Sequence, residues 1–135
     1  MFLKTELFEF NGEKIPLFEL SALQRVELLH YLAAQEHALP KQGTDEQTLS
    51  AALVELNIRA GAMVVAMSLW HSETPKRNLK DLQQEIMSTW PVQAIGKADT
   101  QVKVLSGMLA EAQAPTSEAD TPSESAIKEE TAEKP

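Results

Sequence analysis

GAMVVAMSLWH, residues 61–71, holds no charged side chain, although it lies well inside a chain of net charge −8. A bilayer crossing needs about 20 consecutive apolar residues. This run is shorter, and Glu55, Asn57 and Arg59 precede it closely while Ser72 and Glu73 follow it. It is therefore either the centre of a core or a surface that a second chain covers. Reading back towards the N-terminus, apolar residues recur at helical spacing as far as Leu49. Before them, Thr44-x-x-Gln47 has the form of a capping box, whose two side chains satisfy the free backbone donors of a helix start. One long helix to about His71 follows. Its front stripe is Leu49, Leu53, Leu56, Ala60, Met63 and Met67, and Val54, Ile58, Val65 and Leu69 form a rear stripe roughly opposite. Over its second half such a helix must be covered on both faces.

The chain before it begins with FEFNGEKIPLF, in which Asn11-Gly12 separates two apolar-rich runs. Asn-Gly is the strongest short-range signal for a two-residue hairpin turn, because both residues tolerate positive φ. That register sets Phe8 against Ile15 and Glu9 against Lys14, with Phe10 and Leu17 on the same side. Pro16 lacks a ladder donor and so belongs to an edge strand. A second capping box, Ser21-x-x-Gln24, opens a helix towards His37, with Ala22, Val26, Leu29 and Ala33 along one face and Leu28 and Leu32 widening it. LPKQG (39–43) interrupts the pattern.

After the long helix, HSETPKRN (71–78) reads as a loop, and Asn78 caps a short helix carrying Leu79, Leu82, Ile86 and Trp90 at helical spacing. Pro91 disfavours helical geometry at Trp90 and suits the first turn of a new helix. In that last helix Ile95, Ala98, Val102, Leu105 and Leu109 step 3-4-3-4, a heptad-like seam of about two heptads. Gly61 and Gly96 lie inside helices, where they permit close packing. From 114 to 135 the only large apolar side chain is Ile127, and half of the chain's net charge of −8 sits there. Such a segment cannot offset its own ordering entropy. The reading is thus mainly α: a small helical domain over 1–112, entered through a β-hairpin at 2–20, and a disordered acidic tail or linker over 113–135.

With 135 residues, 43% hydrophobic and 24% charged, the chain suits a single globular domain. An excess of acid argues against binding nucleic acid, which needs clustered lysine and arginine, and against anionic lipid. Cysteine is absent, which removes disulfides, thiolate nucleophiles and cysteine-based zinc sites. The N-terminus alternates charged with apolar residues and does not read as a signal peptide. No HExxH, GxSxG, P-loop or GxGxxG is present. His30 and His37 lack a carboxylate at ligand spacing, and the acid pairs look solvated, so no catalytic, cofactor or metal residue is assigned.

What remains is apolar surface in excess of what one small domain covers. The candidate surface for self-association or a partner is Val54, Ile58, Val65 and Leu69 on the long helix, Trp70 and Trp90, and Ile95, Val102, Leu105 and Leu109 along the seam. Both tryptophans read first as caps on the core where two helices meet, and second as interface anchors. Met63, Met67, Met87 and Met108 serve as core filler or as adaptable contact surface.

The texts MFLKTE (1–6), NG (11–12), ELSALQR (19–25), GA (61–62), VAMSLWH (65–71), TWP (89–91), AI (94–95) and LSGM (105–108) occur here in order. Together they resemble the tail assembly chaperones of lambda-like siphophages, the minor tail protein G family. The stretch 33–60 matches less closely. The resemblance implies an assembly role in the host cytoplasm without catalysis, by a protein absent from the finished virion. It implies a partner as well, the long, helix-rich tape measure protein, kept soluble until tube subunits polymerise around it. It further implies a longer product of ribosomal frameshifting whose second domain recruits the major tail tube protein. A homo-oligomer would fit the surplus apolar surface. The rival reading is a self-associating helical adaptor, or a small regulator with an acidic interaction tail.

Overall fold

The structure, a computed structural model, describes residues 2–41, 43 and 45–109. Two strands, β1 (Thr5–Phe10) and β2 (Glu13–Phe18), precede four helices: α1 (Ala22–His37), α2 (Glu46–Trp70), α3 (Leu79–Thr89) and α4 (Val92–Leu105). The expected architecture, mainly α with an N-terminal hairpin, is the one observed. The tail expected over 113–135 and residues 110–112 lie outside the described residues.

The hairpin has the register its turn dictates, with Phe8 opposite Ile15 and Glu9 opposite Lys14. Asn11 and Gly12 take φ of 52° and 84°, the pair of left-handed conformations that a tight two-residue turn requires. One face of the ribbon points inward and buries Phe8 and Leu17. Pro16 pairs with Leu7, and both side chains stay exposed on the other face.

Ser21 closes the start of α1 with the full capping box, its hydroxyl accepting from Gln24 N and Gln24 Oε1 accepting from Ser21 N. The start of α2 differs from expectation. Asp45 caps it, its carboxylate accepting from Thr48 N at 3.3 Å, one residue later than the Thr44 box would place it. Aspartate is at least as good an N-cap as threonine and adds a negative charge beside the positive end of the helix dipole. Asn78 caps α3 through a bond from Lys80 N. Trp90 is extended, as a residue before proline prefers, and Pro91 is the N-cap of α4. At the other end of α4, Gly107 at φ 74° allows Met108 N to reach Lys103 O and its own N to reach Val104 O. These are the paired bonds of a Schellman stop.

The second half of α2 is the axis of the core, and residues 61–68 are all buried. By length and composition α2 could cross a membrane. Here α3, α4, β2 and α1 pack around it instead. Gly61 makes the approach of α4 possible, since a Cβ there would lie 3.3 Å from Ile95 Cγ2. Gly96, expected to serve the same purpose, does not: nothing lies within 4 Å of where its Cβ would be.

Polar side chains tie the elements together inside this core. Ser68 Oγ accepts from Phe18 N at 2.6 Å and donates to Phe18 O at 2.7 Å, fixing β2 on α2. Gln24 Nε2 donates to Met67 O, and Gln83 Nε2 donates to Tyr31 Oη and Arg59 O. Ser106 Oγ accepts from Leu20 N, which joins the end of α4 to the start of α1.

Candidate functional site

The opposite half of α2 has a different environment. Residues 46–51 are exposed on all sides, and Leu49, Leu53 and Val54 present aliphatic side chains to solvent, Val54 with 58% of its surface exposed. The other elements gather on the second half of the helix, so its first turns carry apolar surface that nothing among the described residues covers.

A second exposed row lies on α1. The apolar face that the spacing marks there, Ala22, Val26, Leu29 and Ala33, is external: Leu29 is 67% and the adjoining Leu23 66% exposed. The helix buries Gln24 and Leu28 and half-buries Tyr31, Leu32 and Gln35. The hydrogen bonds of Gln24 decide the orientation. Its amide meets the start of α1, the end of α2 and the His71 ring at once, so the face bearing this polar residue turns inward. Apolar periodicity alone favours the other face, because α1 has aliphatic residues on both.

The residues nominated as a partner surface divide accordingly. Val65 and Val102 are completely buried and Ile95 nearly so, all within the core of one chain. That nomination is corrected for these three: α3, α4 and the hairpin supply the cover that seemed to require a second molecule. The heptad-like seam packs inward at Ile95, Ala98 and Val102, and α4 ends at Leu105. Ile58, Leu69, Trp70, Trp90 and Leu105 are half-buried, whereas Val54 and Leu109 are exposed. Trp90 stacks on Phe8 at 6.0 Å between ring centres, and Trp70 donates Nε1–H to Arg77 O beneath the Lys76 ammonium. Each tryptophan thus closes a junction and keeps an exposed edge.

Two concavities flank these elements. One, of about 260 Å³, lies between the hairpin and the α3–α4 corner, lined by Phe8, Phe10, Ile15, Trp90 and Ala94 among others. The second, of about 320 Å³, is an open groove between α2 and α4 with Ile58, Gly61, Val92, Ile95, Gly96 and Asp99 in its walls. Burial pushes the Asp99 carboxyl above the usual carboxylate range, and neighbouring Lys103 opposes that shift. At the other end of the molecule, His71 bonds Gln24 Oε1 at 2.9 Å and packs on Phe18. Partial burial lowers its pKa, and the Lys76 charge lowers it further. Arg77 is held in its charged form by hydrogen bonds to Glu73 and Glu85. No group of three histidine, aspartate or glutamate side chains is placed to hold a metal ion among the described residues. His30 and His37 stand exposed on α1.

Fold and surface together define a small helical protein that turns aliphatic helix faces outward, around a core locked by buried hydrogen bonds. Residues 1–125 match the family described as bacteriophage lambda tail assembly chaperone, TAC, protein G. The chain belongs to that family. Tail assembly protein G of Escherichia phage N15 is 41% identical over the whole of this chain and 97% of its own length. Tail assembly protein G of Escherichia phage lambda is 44% identical over 80% of this chain and 79% of its own. Tail assembly protein GT of phage lambda is also 44% identical over 80% of this chain, but the match takes up only 39% of that longer protein. No solved structure matches the chain.

Proposed function

We propose that this chain binds the tape measure protein during tail assembly, keeps it soluble until tube subunits polymerise around it, and leaves before the virion is complete. The family places the chain among tail assembly chaperones. The observation that carries the choice of client is the uncovered aliphatic surface, Leu23, Val26 and Leu29 on α1 with Leu49, Leu53 and Val54 on α2. A long, helix-rich client with apolar rows needs temporary apolar cover that is itself soluble on its outer side, and a chain of net charge −8 can present both. Release during assembly requires modest individual contacts, with avidity from many copies along the client. Self-association of those copies belongs to the same proposal. So does a longer, frameshifted product that recruits the major tail tube protein, a reading favoured by the greater length of the GT relatives. The work would be done in the host cytoplasm.

Production of the tape measure protein with and without this chain tests the proposal. The client should stay in the supernatant and co-purify only in its presence, and the complex should persist at high salt, which screens exposed charge pairs far more than buried apolar surface. Deletion of 114–135 should leave this binding intact. Equal aggregation of the client in both cultures, or a complex lost in moderate salt, would overturn the reading.

A further inference from the structure

Gly96 and Asp99 have properties that the fold does not account for, and both line the groove between α2 and α4. Gly61 is accounted for: a side chain there would press on Ile95. Gly96 lies inside α4 with open space where a Cβ would be, so alanine would fit and would favour the helix. A glycine that its own chain does not need leaves a place where a foreign backbone can come close. Asp99 follows one turn later. Its Oδ1 is buried without a hydrogen-bond partner among the described residues. Lys103 Nζ lies 3.3 Å from both oxygens but donates only to Oδ2. A buried carboxylate oxygen without a donor is costly, and a donor of positive charge is what relieves it most. The groove's rim is aliphatic: Val92 is 61% exposed, Ile58 is half-buried, and exposed Val54 continues the row one turn earlier on α2.

We propose that the α2–α4 groove seats a helix of a partner that carries an arginine or lysine between aliphatic residues. Its backbone crosses at Gly96, its aliphatic side chains cover Val54, Ile58 and Val92, and its cation meets the Asp99 carboxylate. Lys103, with 32% of its side chain exposed, shares the carboxylate or turns out to solvent. Charge complementarity selects the basic side chain, and continuity with the exposed start of α2 joins this seat to the surface assigned above to the client. The inference rests on that assignment and adds to it a defined seat and a chemical requirement on the client helix.

The test compares wild type, Gly96→Leu, Asp99→Asn and a control, Lys80→Leu, placed on the exposed side of α3. Each is co-produced with the tape measure protein, and the soluble client is measured. Gly96→Leu fills the groove with a better helix former, and Asp99→Asn removes a buried charge, so both variants should melt at or above the wild-type temperature. Soluble client should fall at least tenfold with Gly96→Leu and several-fold with Asp99→Asn, and should be unchanged with the control. Full retention by both folded groove variants, or equal loss with Lys80→Leu, overturns the groove while leaving the proposed function standing. Loss with Gly96→Leu alone overturns the cationic requirement. If wild type itself keeps no client soluble, the proposed function fails and the groove assignment fails with it. Should Gly96→Leu not fold, Asp99→Asn decides the matter alone.

Discussion

Ser68 shows how much one small polar side chain can hold. Its hydroxyl satisfies both the N–H and the C=O of Phe18, at a point where no neighbouring strand continues the ladder. Ser68→Ala removes the one hydroxyl that serves both of these part-buried backbone groups while leaving the volume nearly unchanged. It should cost about 1–3 kcal/mol of stability, read from urea denaturation midpoints at unchanged slope. His71 gives a second expectation at this scale. Its pKa is lowered in the folded chain, so between that value and the ordinary 6.5 the unfolded chain binds more protons. Stability from this residue is present above 6.5 and is lost as pH falls through the window below it. Asp99 acts in the opposite sense: its raised pKa makes the charged form costly, so its contribution grows as pH falls towards 3.8. Melting curves of wild type and His71→Gln between pH 7.5 and 5.5 separate the two. The variant should lose less stability on acidification, and parallel curves would remove His71 from the account.

Among the elements, those with local chemistry were legible in the sequence and those that depend on partners were less so. Asn11-Gly12 fixes its turn by backbone sterics alone, and the register follows. Gly12→Val should therefore cost about 1–2 kcal/mol, the penalty of a left-handed residue bearing a Cβ, measured by thermal or urea unfolding. Ser21, Asn78 and Pro91 mark helix starts for reasons equally local. The facing of α1 was not legible, because its apolar periodicity fits two faces and a hydrogen bond from Gln24 to Met67, distant in sequence, chooses between them. On the second half of α2 the rear stripe is covered as its apolar character requires, completely at Val65 and partly at Leu69, but by elements of the same chain, whereas Val54 at its start stays exposed. Val65→Glu now has a definite expectation. It places a charge at a completely buried position and should abolish cooperative unfolding altogether rather than merely weaken association. A folded Val65→Glu protein, judged by a sharp melting transition, would contradict this placement.

At the scale of the whole molecule, packing is uneven: one half of α2 is buried by α1, α3, α4 and β2, while its first turns and the outside of α1 keep their aliphatic side chains in water. The residues that hold the fold and those proposed to make contacts outside it are therefore separate sets, which makes the two roles separable by mutation. Leu23→Gln with Leu29→Gln replaces two strongly exposed leucines by a residue of nearly equal helix propensity and no added charge. Exposed substitutions of this kind change stability by about 0.5 kcal/mol or less, so the doubly substituted protein should melt within a few degrees of wild type. Removing apolar surface from the outer face should nevertheless weaken any contact made there. In sedimentation velocity the wild type should show reversible, concentration-dependent growth beyond the monomer, and the double variant should remain monomeric over the same range. The same variant should keep less tape measure protein in solution, because the proposed function assigns client and neighbouring copies to one aliphatic surface. If association is unchanged in a variant that melts normally, the contact lies elsewhere, and the exposed start of α2, tested through Leu49→Gln with Leu53→Gln, is the next aliphatic row to examine.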